Sequence, residues 1–169
     1  MTNAKRFHKQ DGRQRRRDVG LPQPFSVFLF LLPLLCAHAA DRDITAELLE
    51  AAKVGETVKV KQLIEQGADV NARNKNGTTA LMWAAYRADI EIVIALIDGG
   101  ADVNAETEGG WTALMDAAIE GHAEALNILI DAGADVNATQ EDGNTALKWA
   151  AQKGHTGIVN ILEQAGATE

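Results

Sequence analysis

The chain has 169 residues with 46% hydrophobic, 24% charged and only 5% aromatic content, which suits a soluble domain with an aliphatic, alanine-rich core. Its net charge of −8 is unevenly spread: residues 1–39 carry seven basic and two acidic residues, and the rest carries nine basic and 22 acidic, a net of −13. A surface of that sign repels phosphate, which argues against nucleic acid and acidic membrane surfaces as partners; it reads first as a solubility device and also suits a protein with a basic surface.

The first element in chain order is a targeting segment. A basic stretch ending in Arg15, Arg16 and Arg17 precedes "PFSVFLFLLPLLCAHAA", whose apolar run from Phe25 to Cys36 is interrupted by Ser26 and Pro33. That run fits the roughly 7–15 residues of a secretory signal and falls short of the ~20 needed to span a bilayer. Ala37 and Ala39 supply the small residues before a cleavage site, so cleavage is expected after Ala39. Residues 1–39 are then a signal peptide, and 40–169 form a periplasmic or secreted domain, with an uncleaved membrane anchor as the alternative. Asp18-Val19-Gly20 fits a twin-arginine signal poorly, and Leu35 is too large for a lipoprotein site at Cys36. Cys36 is the only cysteine, so the cleaved domain can be neither a thiol enzyme nor a disulfide scaffold.

The remainder is periodic. "GADVNA" recurs at 67–72, 100–105 and 133–138, and Gly77, Gly110, Gly143 and Leu81, Leu114, Leu147 keep the same spacing of 33. A fixed period of this length marks a stacked array of one supersecondary unit. One period before the second copy stand Leu48, Ala51 and Ala52, a degenerate first copy. Four units follow, at about 43–73, 74–106, 107–139 and 140–169. Each reads as turn, helix, short turn, helix, loop. In the second unit Asn76-Gly77 signals a turn and Thr79 stands at a helix N-cap. Leu81, Ala84, Ala85 and Ala88 then fall on one helical face, and Val93, Leu96 and Ile97 on the inward stripe of the second helix. Gly99-Gly100 ends that helix, and Asp102-Val103-Asn104 makes a tight polar turn around one buried valine.

The run G-x-T-A-L-M/K-x-A-A, the pairs Gly121-His122 and Gly154-His155, and the G-A-D-V-N-A closure resemble the ankyrin-repeat family over about residues 43–169. The resemblance implies an all-α solenoid of four helix-turn-helix repeats with short β-turn or hairpin loops. Ala80, Ala113 and Ala146 stand where the family often has proline, and Met82, Met115 and Lys148 where it often has histidine. Since that histidine ties neighbouring turns together, hydrogen bonding between turns is expected to be sparser here. The two ends read as caps. At one second-helix position the copies have Lys59, Ile92, Ala125 and Ile158, and at another Ile64, Ile97, Ile130 and Glu163. Different faces turn polar at opposite ends, as a complete four-repeat array requires.

One position varies while its neighbours hold: "TALMWAA", "TALMDAA" and "TALKWAA" give Trp83, Asp116 and Trp149, with Glu50 in the first copy. Two residues past Leu81, this position points about 200° away from the packed stripe. Its i+3 and i+4 neighbours (Tyr86 and Arg87, Ile119 and Glu120, Gln152 and Lys153) extend the same face, beside turn-tip residues such as Lys75, Asn76, Thr78, Glu108, Trp111, Asp142 and Asn144. In ankyrin repeats this concave face and its tips are the usual protein-binding surface. Large aromatic and basic side chains anchor interfaces well. Trp83, Tyr86, Arg87, Trp111 and Trp149, with Lys153, are therefore the candidate partner-binding residues, and Asp116 and Glu120 would select a cationic group. The competing reading has the indoles packing between repeats and thickening a thin core.

Other chemistry finds little support. His122 and His155 occupy equivalent positions, so they lie about 8–10 Å apart, too far to share a zinc ion, and read as polar residues of the inter-helix turn. Asp116 and Glu120 form an i, i+4 carboxylate pair without a nucleophile, lid or phosphate loop. The sequons at Asn76 and Asn137 fall inside the repeat's own turn letters, and no strand precedes the glycines as a nucleotide cradle would need. The expectation is a non-catalytic, monomeric protein-binding module without cofactor or metal. A secreted effector acting on a foreign cell's protein, a hydrolase on a repeat scaffold and a structural spacer are the alternatives.

Overall fold

The computed structural model describes residues 44–168; the segment read as a signal peptide, with its cleavage site and Cys36, lies outside them. Eight helices fill the described residues, and no strand occurs among them: α1 (44–54), α2 (Thr57–Glu65), α3 (Ala80–Arg87), α4 (Ile90–Asp98), α5 (Ala113–Glu120), α6 (Ala123–Asp131), α7 (Ala146–Lys153) and α8 (Thr156–Gln164). Odd-numbered helices make an inner layer in which α3 packs on α5 and α5 on α7. Even-numbered ones make an outer layer running α2, α4, α6, α8, and each hairpin joins the two.

The inner helices start where a threonine can cap them. Thr79, Thr112 and Thr145 are buried with extended backbones, and each hydroxyl accepts the N–H three residues on, from Met82, Met115 and Lys148. Behind each cap, small side chains bring the layers together. Ala80, Leu81, Ala84 and Ala85 are buried, as are Ala113, Leu114, Ala117 and Ala118. Each fully buried leucine contributes roughly 1.5–3 kcal/mol through its removal from water. Met82 and Met115 are buried too, whereas Lys148 at the same position is exposed and donates its ammonium to the Gly143 carbonyl at 2.8 Å.

The polar positions at the two ends behave as the sequence pattern suggests. Lys59 keeps contact with solvent and pairs with Glu47 at 2.7 Å and Glu56 at 3.7 Å, while Ile92, Ala125 and Ile158 are buried. Glu163 is exposed where Ile64, Ile97 and Ile130 pack partly against the core.

Three details differ from the sequence reading. Val70 alone of the three loop valines is buried; Val103 and Val136 stay half-buried. Ala88 does not extend the helical stripe, because α3 ends at Arg87 and Ala88 caps it in the left-handed region at φ 57°. Gly121 and Gly154 hold that conformation in the next two repeats. A Cβ is strained there, so Ala88→Gly should stabilise the array by about 0.5–1 kcal/mol, the gain being limited by glycine's larger unfolded-state entropy. Urea unfolding would show it as a higher midpoint at unchanged slope; an unchanged midpoint would mean the surrounding turn absorbs the strain.

The third difference concerns the bonds between repeats, which are plentiful but run mostly elsewhere than the turn tips. Asn71 donates its amide to the Gly100 carbonyl (3.0 Å) and accepts the Asp102 N–H (2.7 Å). Asn104 does the same with Gly133 and Asp135, and Asn137 with Gly166 and Thr168. His122 and His155 stand at the N-cap positions of α6 and α8 and reach back one repeat, Nε2 lying 3.0 Å from the Tyr86 carbonyl and 3.1 Å from the Ile119 carbonyl. A carbonyl only accepts, so Nε2 carries the proton in both rings. At the tips themselves, Arg73 donates to the Glu106 carbonyl and the Glu141 N–H to the Gly109 carbonyl.

Candidate binding site

The inner face is built by two devices. The turn tips project because each closes a tight loop, with Asn74, Thr107 and Gln140 donating backbone N–H groups to the carbonyls of Thr78, Trp111 and Asn144. The Asn74 side chain tightens the second repeat's tip by accepting the N–H groups of Asn76 and Thr78. The inner helices then place Met82, Trp83, Tyr86 and Asp116 beside these tips.

Between the second and third repeats the two devices enclose an open groove of about 580 Å³ lined by Asn76, Thr78, Met82, Trp83, Tyr86, Thr107, Trp111 and Asp116. Trp83 and Tyr86, three apart on α3, meet edge to face with ring centroids 6.4 Å apart and planes at 89°. Trp83 is half-buried against the core, while Tyr86 is 46% exposed. From the third tip, Trp111 donates its indole N–H to the Asp116 carboxylate at 2.7 Å. Across the next junction Trp111 contacts Trp149 at 5.5 Å between centroids and 56° between planes, and Trp149 donates its indole N–H to the Gln140 side chain at 2.9 Å.

Asp116 has an unusual environment for a surface carboxylate. Burial pushes its pKa up from 3.8 to about 7, and the negative charge of Glu120 adds to the rise. The Trp111 hydrogen bond pulls the other way without overcoming burial. No ion pair involves Asp116 among the described residues.

The candidate residues thus divide. Trp83, Tyr86, Trp111 and Asp116 line one groove, and Trp149 joins it through Trp111. Glu120 is exposed and acts on Asp116 through space. Arg87 is turned away, its Nε donating to Asp89 at 2.7 Å. Lys153 is exposed at the end of α7 and is not part of the groove lining.

A family profile for ankyrin repeats in three copies matches residues 48–140, more than half of the chain, and a single-repeat profile matches residues 142–168. The chain belongs to the ankyrin-repeat family. Ankyrin repeats are in general protein–protein interaction modules and typically non-catalytic. A comparison with curated proteins finds no match. Among the described residues, no helix is long and apolar enough to cross a membrane.

Two members of this ankyrin face escape a reading by helical wheel. Gln140 fixes Trp149 from nine residues upstream, and Thr107 supplies both the tip's first hydrogen bond and part of the groove wall. Their sequence signal is positional: Asn74, Thr107 and Gln140 are one period apart and all open a turn tip.

Proposed function

We propose that the chain is an extracytoplasmic, monomeric protein-binding module, that it engages its partner through the inner-helix face and turn tips, and that it takes no part in catalysis. The observation that carries this is the groove: three large aromatic side chains gather on the face opposite the packed stripe, around a carboxylate with no ion-pair partner. Aromatic anchors around a partly desolvated polar group are the composition of an interface core. The surplus of acidic residues favours a partner with a basic surface. The apolar run from Phe25 to Cys36 and the small residues before Ala40 support export.

Affinity capture from the source organism's extracytoplasmic fraction tests the reading, with the protein as bait beside its Trp83→Ala variant. Bait helicity and melting are compared first. A partner held by the native protein and lost, or weakened at least tenfold, with the variant is the expected result. Retention of the same partner by both baits would remove the groove from the interface. A spacer role is the second reading, favoured by the Trp111–Trp149 contact, which joins the third and fourth repeats. Under it, Trp149→Ala would lower stability and leave every capture unchanged.

A further inference from the structure

We infer that the groove between the second and third repeats is a receptor for one lysine side chain of the partner, its alkyl stem lying against the rings of Trp83, Tyr86 and Trp111 and its ammonium reaching the free oxygen of Asp116. The inference rests on the inner face being the binding surface and names what that surface recognises.

Its geometry comes from how Asp116 is held. Oδ1 already accepts the indole N–H of Trp111, and Oδ2 has no hydrogen-bond partner among the described residues. No fully buried side-chain oxygen among the described residues lacks a partner, so Oδ2 keeps some solvent contact on a residue that lines the groove. A single available oxygen suits a compact ammonium. A guanidinium fork wants both oxygens of a carboxylate in parallel, and one of these is occupied. The walls suit the rest of the side chain: aromatic faces attract a cation electrostatically and bury the methylene stem that leads to it.

Charge points the same way. The described residues include 19 acidic and eight basic side chains. The two arginines among the described residues are engaged elsewhere, Arg87 by Asp89 and Arg73 by the Glu106 carbonyl. Neither supplies a cation to Asp116 from within the chain. A groove of about 580 Å³ lies within the roughly 300–1,000 Å³ of sites that take a small ligand, which leaves room for the residues flanking the lysine. The raised pKa of Asp116, driven by burial and by Glu120, agrees with a carboxyl group that no cation of the chain compensates.

The test uses N-acetyl-lysine N-methylamide as the probe and the norleucine, arginine and glutamate analogues for comparison. They are titrated into the full chain at pH 8 while the three indole N–H signals are followed by NMR. The lysine probe should shift the Trp83 and Trp111 signals and bind at least tenfold more tightly than norleucine, and more tightly than arginine. Asp116→Asn should reduce lysine to the norleucine level with the helical spectrum unchanged. Equal binding of lysine and norleucine, arginine binding as well as or better than lysine, an unaltered lysine affinity in Asp116→Asn, or no response to lysine would each overturn the inference. A captured partner that depends on Trp83 would in those cases leave the protein-binding reading standing without the lysine. A lysine response with no dependence of capture on Trp83 would do the reverse.

Discussion

Asp116→Asn should make the array more stable at pH 8 by about 2–3 kcal/mol and leave it nearly unchanged below about pH 4. In the folded chain burial holds the Asp116 carboxyl at about 7 against an ordinary 3.8, so between those values the native state binds a proton that the unfolded chain has released. Stability therefore falls as pH rises through that window, and the penalty is fully present above about pH 7. A displacement of that size corresponds to roughly 4 kcal/mol, and water entering an open groove reduces what is realised. The neighbours make the sign secure. Glu120, one turn along α5, repels the charged form, and Tyr86 on α3 brings a phenol rather than a charge to the groove. On α7, Lys148 is engaged by the Gly143 carbonyl and Lys153 is exposed; neither pairs with Asp116. On α6, Glu124 and Asp131 are exposed and would oppose ionisation if they acted at all. Asparagine keeps an oxygen for the Trp111 indole and removes the titration. Urea unfolding from about pH 3.5 to pH 8 checks the prediction, since the two curves should diverge with rising pH. Parallel curves would mean that the carboxylate is solvated well enough to ionise freely.

A carboxylate that restrains stability at neutral pH is what a recognition site leaves behind when its partner is absent. The repeat could accommodate tryptophan here, as Trp83 and Trp149 show, so nothing in the packing demands an acid at 116. Stability and binding pull on this side chain in opposite directions, and the same substitution should stabilise the array while abolishing the lysine preference.

The period made most of the architecture legible, because a residue that recurs every 33 positions must do the same job in each unit. Thr79, Thr112 and Thr145 could be read as caps for that reason. What the period hides is reach. Asn71 bonds residues 29 and 31 positions away, and His155 a carbonyl 36 away, so partners follow from the stacking of neighbouring units rather than from any helical wheel. The recurrence of Asn71, Asn104 and Asn137 was itself the available signal, since a hydrogen-bonding duty between neighbouring units is one reason for a loop to keep one amide. The groove was legible only in part. Helical geometry put Trp83 and Tyr86 on one face, but Trp111 closes over Asp116 from a turn tip, and no periodicity specifies that. A helical wheel also projects Arg87 onto this face, whereas its guanidinium pairs with Asp89, two residues on and beyond the end of the helix.

Gly110→Ala should destabilise the array by about 3 kcal/mol, and Gly143→Ala, at the equivalent tip, by only about 1 kcal/mol. Both glycines sit in the left-handed region, at φ +77° and +76°, where a Cβ costs about 1 kcal/mol or slightly more. Their surroundings differ. A Cβ on Gly110 would stand 2.9 Å from the Thr139 carbonyl oxygen and 3.0 Å from Gln140 Cα, whereas one on Gly143 meets nothing within 4 Å. The first pair belongs to backbone, so relief requires the third and fourth tips to separate, and overpacking of that kind adds roughly 1–3 kcal/mol. Such a separation has a local signature. Gln140 holds the Trp149 indole and Trp111 contacts Trp149, so Gly110→Ala should change tryptophan emission and the 5.5 Å indole pair while Gly143→Ala leaves both alone. Matched urea midpoints and fluorescence spectra for the two variants decide it. Equal losses would show that left-handed strain alone fixes these glycines. Unequal losses with an altered indole signal would show that the tips are stacked by contact, which makes the aromatic face one continuous surface from Trp83 to Trp149 rather than three separate turns.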